Sequence, residues 1–258
     1  MRRLIVEEPV SRAAVWARRL ALFSVAVAAV TVAIARFSPD SAESAAYAFE
    51  AGLTLSLAAI ALACVAFVEI WRSGRRGLRD ALAGLAVALA MLAWPGYLLA
   101  RATQQPMLND VSTDLADPPQ FSRSSRVLAA RGPRVPTPYT PTTRDLQARF
   151  YPFLQTIVLD LDADQSWRLV QKAVTARGWR VLEQVSAGGR SGVGHIDATE
   201  RTLLFGFTDD IAVRVRPAGG KTRVDVRSAS RFGSHDFGAN ARRIRAFAQD
   251  LQAEYDAK

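Results

Sequence analysis

Three long apolar runs fill the first hundred residues of the chain, and short polar segments separate them. Each run is close to the length of about 20 helical residues that crosses the ~30 Å hydrocarbon core of a bilayer. The pattern therefore predicts a transmembrane region over residues 1–103. Its helices are expected near residues 18–37, 47–71 and 79–100.

Two further patterns follow the membrane region. Prolines recur with Ser, Thr and Arg through residues 104–149, which predicts an extended linker that partly lies on the domain surface. Within it, the stretch Asp117–Phe121 is expected to dock through Phe121. Residues 150–258 then show the apolar periodicities of a soluble globular domain.

The domain pattern predicts six strands and two helices. The strands are expected at Phe153–Leu161, Trp179–Val185, His195–Thr199, Arg201–Phe207, Ile211–Arg216 and Thr222–Ser230. Apolar spacing predicts helices at Asp164–Arg177, with Asp164 as its cap, and at Asp236–Tyr255. Consecutive strands imply an antiparallel sheet that both helices cover on one face. The fold class is thus α+β: a two-layer domain after three transmembrane helices, with a helix-grip arrangement as one specific version.

One hairpin can be registered from its alternating valines and charged residues. Placing the valines on one buried face pairs Val213 with Val226, because a one-residue slip would turn all of them outward. The same register places Arg214 opposite Asp225. It leaves residues 218–221 as a four-residue loop.

Charge is distributed unevenly around the apolar runs. The segment before the first run and the loop after the second are rich in arginine, whereas the loop between the first two carries acids. Positive charge stays in the cytoplasm. We therefore expect an integral protein of the inner (cytoplasmic) membrane, with its N-terminus inside and its C-terminal domain in the periplasm. The first run also resembles a cleavable signal peptide, although Glu7 and Glu8 are unusual in one, and cleavage would leave the domain outside.

Composition argues against several function classes. The formal net charge of +9 is spread along the chain, whereas nucleic-acid binding needs a concentrated basic face, so no nucleic-acid partner is expected. The only cysteine, Cys64, lies in the second apolar run, which excludes an intramolecular disulfide and a cysteine-based zinc site. His195 and His235 are the only histidines. We expect neither a metal nor a cofactor.

Candidate chemistry concentrates near the C-terminal end. The polar face of the hairpin forms an arginine band: Arg214, Arg216, Arg223, Asp225 and Arg227. A solvated strand face with weak ion pairs explains this band, and so does a surface that recognises anions. The strand-to-helix junction after the band is dense in Arg, Ser and Asp, and a helix N-terminus can bind anions.

The band and the junction together supply the candidates for binding a ligand or partner. They are Asp209, Asp210, Arg214, Asp225, Arg227, Ser228, Ser230, Arg231, Asp236, Asn240 and Arg243. Ser234 or Asp236 would cap the last helix. The two adjacent aspartates could hold Arg227 or Arg231 by bidentate pairing. The side chain of Asn240 could hold the junction loop by bonding the backbone of the loop.

The motifs around this junction resemble those of a known family. Residues 206–215 (GFTDDIAVRV) and 223–244 (RVDVRSASRFGSHDFGANARRI) look like the core signature of the family of unknown function DUF1499. Asp117–Phe121 and the Tyr151–Pro152 dipeptide fit its pattern as well. The resemblance covers about residues 105–255. It implies relatives in bacterial envelopes and chloroplasts, and it implies no established activity.

Two functional hypotheses fit these patterns. The first is a membrane-anchored, non-enzymatic envelope protein whose outside domain binds a lipid, an anionic small molecule or an envelope protein. The alternative is an envelope hydrolase that uses Ser228 or Ser230 with His235, or Asp209 with Asp210. The sequence carries no Gly-x-Ser-x-Gly elbow, and adjacent carboxylates on a strand point to opposite sides. These two observations favour the first hypothesis.

Overall fold

The computed structural model describes residues 8–38, 41–132, 139–187 and 192–258. The chain divides into two compact units. The first comprises residues 1–100 with 203–206, and the second comprises residues 101–202 with 207–258.

The first unit is built from three long helices. They are α1 (Arg12–Phe37), α2 (Ala42–Ser73) and α3 (Leu78–Ala102). Within the described residues these three helices are long and apolar enough to cross a membrane, which confirms the three expected helices.

Small side chains form the interfaces of these helices. On α1 the buried residues recur at alternating spacings of three and four: Ala14, Ala17, Ala21, Ser24, Ala28, Thr31 and Ala35. Because lipid tails are as apolar as leucine, helices associate in a bilayer through close packing and interhelical hydrogen bonds. Ser56 of α2 donates such a bond to the Ser24 hydroxyl across 2.9 Å. The repeat thus brings the backbones together and leaves large side chains such as Phe23 exposed.

The two arginine-rich segments of the first unit lie at the same end of the helices. The backbone N–H of Ser11 donates to the carbonyl of Arg76 at 2.8 Å, and the N–H of Arg76 donates to the carbonyl of Pro9 at 3.2 Å. Arg18 of α1 pairs with Asp80 of α3 at 2.6 Å. The topology prediction requires this arrangement, in which both groups of positive charges share one side.

In its described residues, the second unit contains one antiparallel sheet and four helices. The strands are β1 (Asp110–Ser112), β2 (Ile157–Leu159), β3 (Arg180–Val185), β4 (Gly194–Arg201), β5 (Thr208–Ala218) and β6 (Lys221–Ser230). Their order is β1-β6-β5-β4-β3, and β2 pairs with another stretch of β6. The helices are α4 (Ser125–Arg131), α5 (Pro141–Phe150), α6 (Ala163–Ala176) and α7 (Ala239–Asp256). Thus β1, α4 and α5 lie within residues 104–149.

One face of the sheet packs against α6 and α7. The apolar stripes of both helices meet the alternate valines and isoleucines of β4, β5 and β6 in a single core. Trp179 stacks on Phe247 in this core, with ring centroids 5.2 Å apart. The arrangement confirms the α+β class, with both expected helices on one side of an antiparallel sheet. The more specific helix-grip arrangement stays a prediction.

The expected hairpin register is confirmed. Val213 lies opposite Val226 and Arg214 opposite Asp225. The loop, however, is shorter than expected, because the strand pairing continues to Ala218 and Lys221. Gly219 and Gly220 alone make the turn, with φ of 61° and 83°. Two consecutive residues with positive φ match the twist of a two-residue hairpin, and glycine adopts this conformation without steric cost.

Three other expected elements differ from the structure. The strand expected at Arg201–Phe207 is wrong: residues 202–207 form a loop, in which the N–H of Thr202 donates to the carbonyl of Phe207 at 2.9 Å. The strand expected from Phe153 is confined to β2, since only these three residues find a partner on β6. Helix α6 is capped by Asp162 rather than Asp164, because Asp162 accepts the N–H of Gln165 at 2.7 Å.

Close packing of α3 against α1 generates a stability prediction. A Cβ added at Gly84 would lie 2.7 Å from the backbone of Ala17 and Arg18, whereas one added at Gly96 on the same helix would meet nothing within 4 Å. Gly84→Ala should therefore lower the free energy of unfolding by about 1–3 kcal/mol, as overpacking does. Gly96→Ala is the matched control and should be neutral or slightly stabilising. Unfolding of the purified full-length chain in mixed detergent micelles measures the stability of both variants. Equal losses of stability would contradict the close packing of α3 on α1 at Gly84.

Candidate functional site

Side chains project alternately to the two faces of the sheet, so the candidate residues separate into two groups. We call the side that packs on α6 and α7 the helix face and the opposite side the covered face. Asp209 and Asp210 show the separation directly: Asp209 contacts Arg243 of α7, whereas Asp210 contacts Arg131 and Arg231.

On the covered face, carboxylates of the segment 110–131 neutralise the arginine band. Oδ2 of Asp114 lies 2.8 Å from Nη2 of Arg216, and Oδ2 of Asp117 lies 2.9 Å from Nη1 of Arg214. Asp225 is fully buried and pairs with Arg214 at 3.1 Å. The face is therefore not the freely solvated one of the first alternative, since a neighbouring segment of the chain supplies counter-charges and covers part of it, although Arg223 stays 39% exposed.

The charge state of Asp114 fits its position among these arginines. Burial acts to raise the pKa of this carboxyl, but the backbone N–H groups of Asp117 and Ala116 and the guanidinium groups of Arg216 and Arg214 together outweigh it. The pKa of Asp114 consequently lies below its usual value. Asp114 is thus held as an anion.

Arg227 lies under the same segment and makes a bidentate pair on this face. Its Nε lies 3.0 Å from Oδ1 of Asp110, and its Nη2 lies 2.6 Å from Oδ2 of the same carboxylate. Burial raises the pKa of Asp110, although Arg227 opposes the shift. The Phe121 ring lies between two guanidinium groups, 4.8 Å from the Cζ atoms of Arg131 and of Arg227. The expected docking of Phe121 is confirmed.

A chain of ion pairs continues along the covered face to the junction. Buried Arg131 bridges Asp197 and Asp210, at 3.2 Å from each. Arg231 then grips Asp210 with two bonds, of 2.9 and 2.7 Å. One of the expected bidentate pairs is therefore present, whereas Arg227 takes its partner from β1.

The helix face carries a second, separate polar cluster at the start of α7. Arg243 reaches Asp209 at 2.5 Å and Ser228 at 2.9 Å, and it also contacts Glu200 and Asn240. Burial raises the pKa of Asp209, and Arg243 opposes the shift. The structure thus brings together five candidates here: Asp209, Ser228, Ser230, Asn240 and Arg243.

Asn240 organises this cluster. Its Oδ1 accepts from Ser228 at 2.7 Å, and its Nδ2 donates to the hydroxyl of Ser230 at 2.9 Å. The same amide donates to the carbonyl of Asn109 at 3.0 Å. Asn240 therefore holds the backbone just before β1 rather than the junction loop.

Asp236 fixes the beginning of α7. Its carboxylate accepts the N–H groups of Gly238 and Asn240, both at 2.8 Å. The N-cap position itself belongs to Gly238, so Asp236 acts from two residues upstream. Neighbouring His235 accepts the N–H of Phe237 on Nδ1 at 2.8 Å. Among the described residues, no hydrogen bond joins His235 to Ser228 or Ser230.

The sequence reasoning missed five partners on the covered face. Asp110, Asp114 and Asp117 neutralise the band, and Arg131 and Asp197 continue the ion pairs toward Asp210. Three of them are acids within eight residues of an otherwise basic, proline-rich segment. That local excess of acids was the available signal. Charge complementarity with the band could have connected the two segments.

A different group of cations lies exposed at the end of the unit that receives the chain from α3. Cζ of Arg245 lies 5.6 Å from the half-exposed Phe153 ring, and Nη1 of Arg242 donates to the carbonyl of Phe237 at 2.9 Å. We call Phe153, Arg242 and Arg245 the tether patch. Next to it, Tyr151 donates to the side chain of Gln105 at 2.8 Å. Burial raises the pKa of Tyr151 to about 12, so its hydroxyl stays protonated.

Buried pairing on the covered face generates a second prediction. Asp110→Asn leaves the buried guanidinium of Arg227 without its counter-charge, which should lower the free energy of unfolding by about 3–5 kcal/mol. Asp117→Asn is the matched control from the same segment. Its side chain is 60% exposed, so the loss should be no more than about 1 kcal/mol. Thermal unfolding of the full-length variants measures both losses of stability. A larger loss for Asp117→Asn than for Asp110→Asn would contradict the assignment of Asp110 as the buried counter-charge of Arg227.

A comparison with known protein families identifies the family to which this domain belongs. The model of the family described as "Protein of unknown function (DUF1499)" matches residues 110–251. The match begins at β1 and ends in α7, so it includes both the covering segment and the sheet. No curated protein matches the chain. The chain belongs to the DUF1499 family, as the motifs at the junction indicated.

Proposed function

We propose that this DUF1499 protein is a membrane-anchored, non-enzymatic envelope protein whose C-terminal domain lies outside the cytoplasm and binds an anionic membrane lipid. The observation that carries the proposal is the tether patch. It combines exposed arginines with an exposed aromatic ring, and this ring neighbours Tyr151, which bonds Gln105. Gln105 follows the end of α3 by only three residues, a stretch of about 10 Å of extended chain at most.

The outside location is supported by the arrangement of the first unit. Both arginine-rich segments lie at one end of the three helices, and such segments stay in the cytoplasm. An odd number of crossings then puts the chain after α3 on the other side. The proposed location is the inner membrane, with the domain in the periplasm.

Reporter fusions test this topology. Alkaline phosphatase fused after Lys258 should be active, because the enzyme folds only where disulfides form. The same enzyme fused at Gly74, in the loop between α2 and α3, should be inactive. The reverse pattern would overturn the proposed location.

The arginines of the covered face already have carboxylate partners, and this favours the tether patch as the binding site. An anion on the covered face would have to displace carboxylates that already pair with Arg214, Arg216 and Arg227. Arg242 and Arg245, by contrast, are exposed and lie one turn apart on α7. Guanidinium groups suit phosphate oxygens, and an aromatic ring beside them suits the membrane interface.

The hydrolase hypothesis would need a serine activated by a base. In the described part of the chain, Ser228 and Ser230 are engaged by Asn240 and Arg243 instead. Asp209 and Asp210 face opposite sides of the sheet. No contact in this region therefore favours catalysis over binding.

Native mass spectrometry of the detergent-purified full-length protein tests the lipid assignment. The wild type should carry more phosphatidylglycerol than phosphatidylcholine, because the patch is cationic. Arg242→Glu combined with Arg245→Glu should reduce that preference several-fold. The control combines Arg168→Glu with Arg180→Glu, which makes the same charge change at exposed positions of α6 and β3 and should keep the preference.

The arginines of the first unit are identical in all three proteins, so any difference between them reports on the domain. Equal phosphatidylglycerol binding by all three proteins would overturn the assignment. If a soluble anion co-purified only with the intact patch, the lipid assignment would be wrong and the ligand would be an anionic small molecule.

A further inference from the structure

The loop between β4 and β5 presents large apolar side chains at its tip. The sequence of residues 202–207 is TLLFGF. Leu203 is 93% exposed and Leu204 is 43% exposed. Exposed clusters of this kind mark surfaces that contact a partner or a membrane.

The loop is held in shape from both sides. The N–H of Phe207 donates to the hydroxyl of Thr202 at 3.0 Å, in addition to the backbone bond between the same residues. Gly206 turns the chain with φ of 63°. Phe207 stacks on Phe232, with ring centroids 4.5 Å apart. The two leucines are therefore presented by a closed loop.

Residues 203–206 belong to the compact unit that contains the membrane helices. Within that unit, the Phe205 ring meets the Phe49 ring edge-on, with centroids 5.1 Å apart. Phe49 lies near the start of α2, and the arginine-rich loop follows the end of that helix. The loop tip is thus associated with the acidic, arginine-poor end of α2.

The short connection between α3 and the sheet also indicates that the loop tip lies near the membrane. Only residues 103–107 separate α3 from Leu108, whose carbonyl accepts the N–H of Asp236 at 3.0 Å. Five residues extend about 18 Å at most. The loop tip lies at this end of the sheet, because the N–H of Arg231 donates to Thr208 at the start of β5.

We infer that the β4–β5 loop is a membrane-docking element that inserts Leu203 and Leu204 into the lipid leaflet on the side of the domain. The two leucines bury apolar surface among acyl chains, while Phe205 packs against α2. The inference uses the outside topology proposed above, but it does not depend on recognition of an anionic headgroup. It can therefore be tested in neutral lipid, where failure of the headgroup assignment has no effect.

The test places an environment-sensitive fluorophore on the loop of the full-length protein. In a Cys64→Ala background, Leu203→Cys carries the fluorophore NBD, and the protein is reconstituted in phosphatidylcholine nanodiscs. The matched control is Lys221→Cys, at the first residue of β6 and therefore at the opposite end of the sheet. We expect the label at 203 to emit at shorter wavelength than the label at 221. It should also be quenched several-fold more by spin-labelled lipid.

Two results would overturn the inference. Equal emission and equal lipid quenching at 203 and 221 would show that the loop stays in water. A blue-shifted label at 203 that spin-labelled lipid does not quench would show that protein, not lipid, covers the loop. A second label at Leu204→Cys guards against a local effect of one substitution and should give the same lipid quenching as the label at 203.

Discussion

The second unit depends on pairing between the arginines of the sheet and the carboxylates of the segment that precedes it. A guanidinium taken out of water without a counter-charge costs several kcal/mol. Arg227 is 4% exposed and Arg131 is 3% exposed, and both have carboxylate partners that are also buried. The partners are separated by between 66 and 117 residues in the sequence, so the pairs fasten residues 110–131 to distant strands of the sheet.

This pairing also separates structure from function in the arginine content of the domain. The arginines of the covered face are paired with carboxylates of the same unit. The exposed arginines of α7 are available at the end that receives the chain from α3. The two groups of arginines thus differ in their exposure and in their distance to a carboxylate.

The three long apolar helices, which could span a membrane, follow a different constraint, because a bilayer offers no hydrophobic gain for helix association. Their contacts are made by alanine, serine and glycine, and the bulky apolar residues face outward. Gly84 shows how close the backbones come. The helices of the first unit thus pack closely because their contact residues are small. In the second unit, by contrast, the covering segment is held by buried ion pairs.

The sequence alone determined the three long apolar helices, the α+β class and the register of the β5–β6 hairpin. In each case the determining feature is a local periodicity: apolar length, strand order along the chain, or the two-residue alternation of Val213, Val215, Val224 and Val226. It also determined that Asp209 and Asp210 diverge, because strand geometry fixes the direction of neighbouring side chains.

Only the tertiary structure decided which charges are neutralised. Asp110, Asp114 and Asp117 lie about a hundred residues from the arginines that they contact. Local propensity carries no information on such contacts, and a covered strand face has the same alternation as a solvated one. The loop at residues 202–207 shows the same limit. Its apolar residues favour a strand by local propensity, but they form a loop because none of the described strands pairs with them. Long-range contact decides burial, and burial decides the energy of each charge and of each exposed leucine.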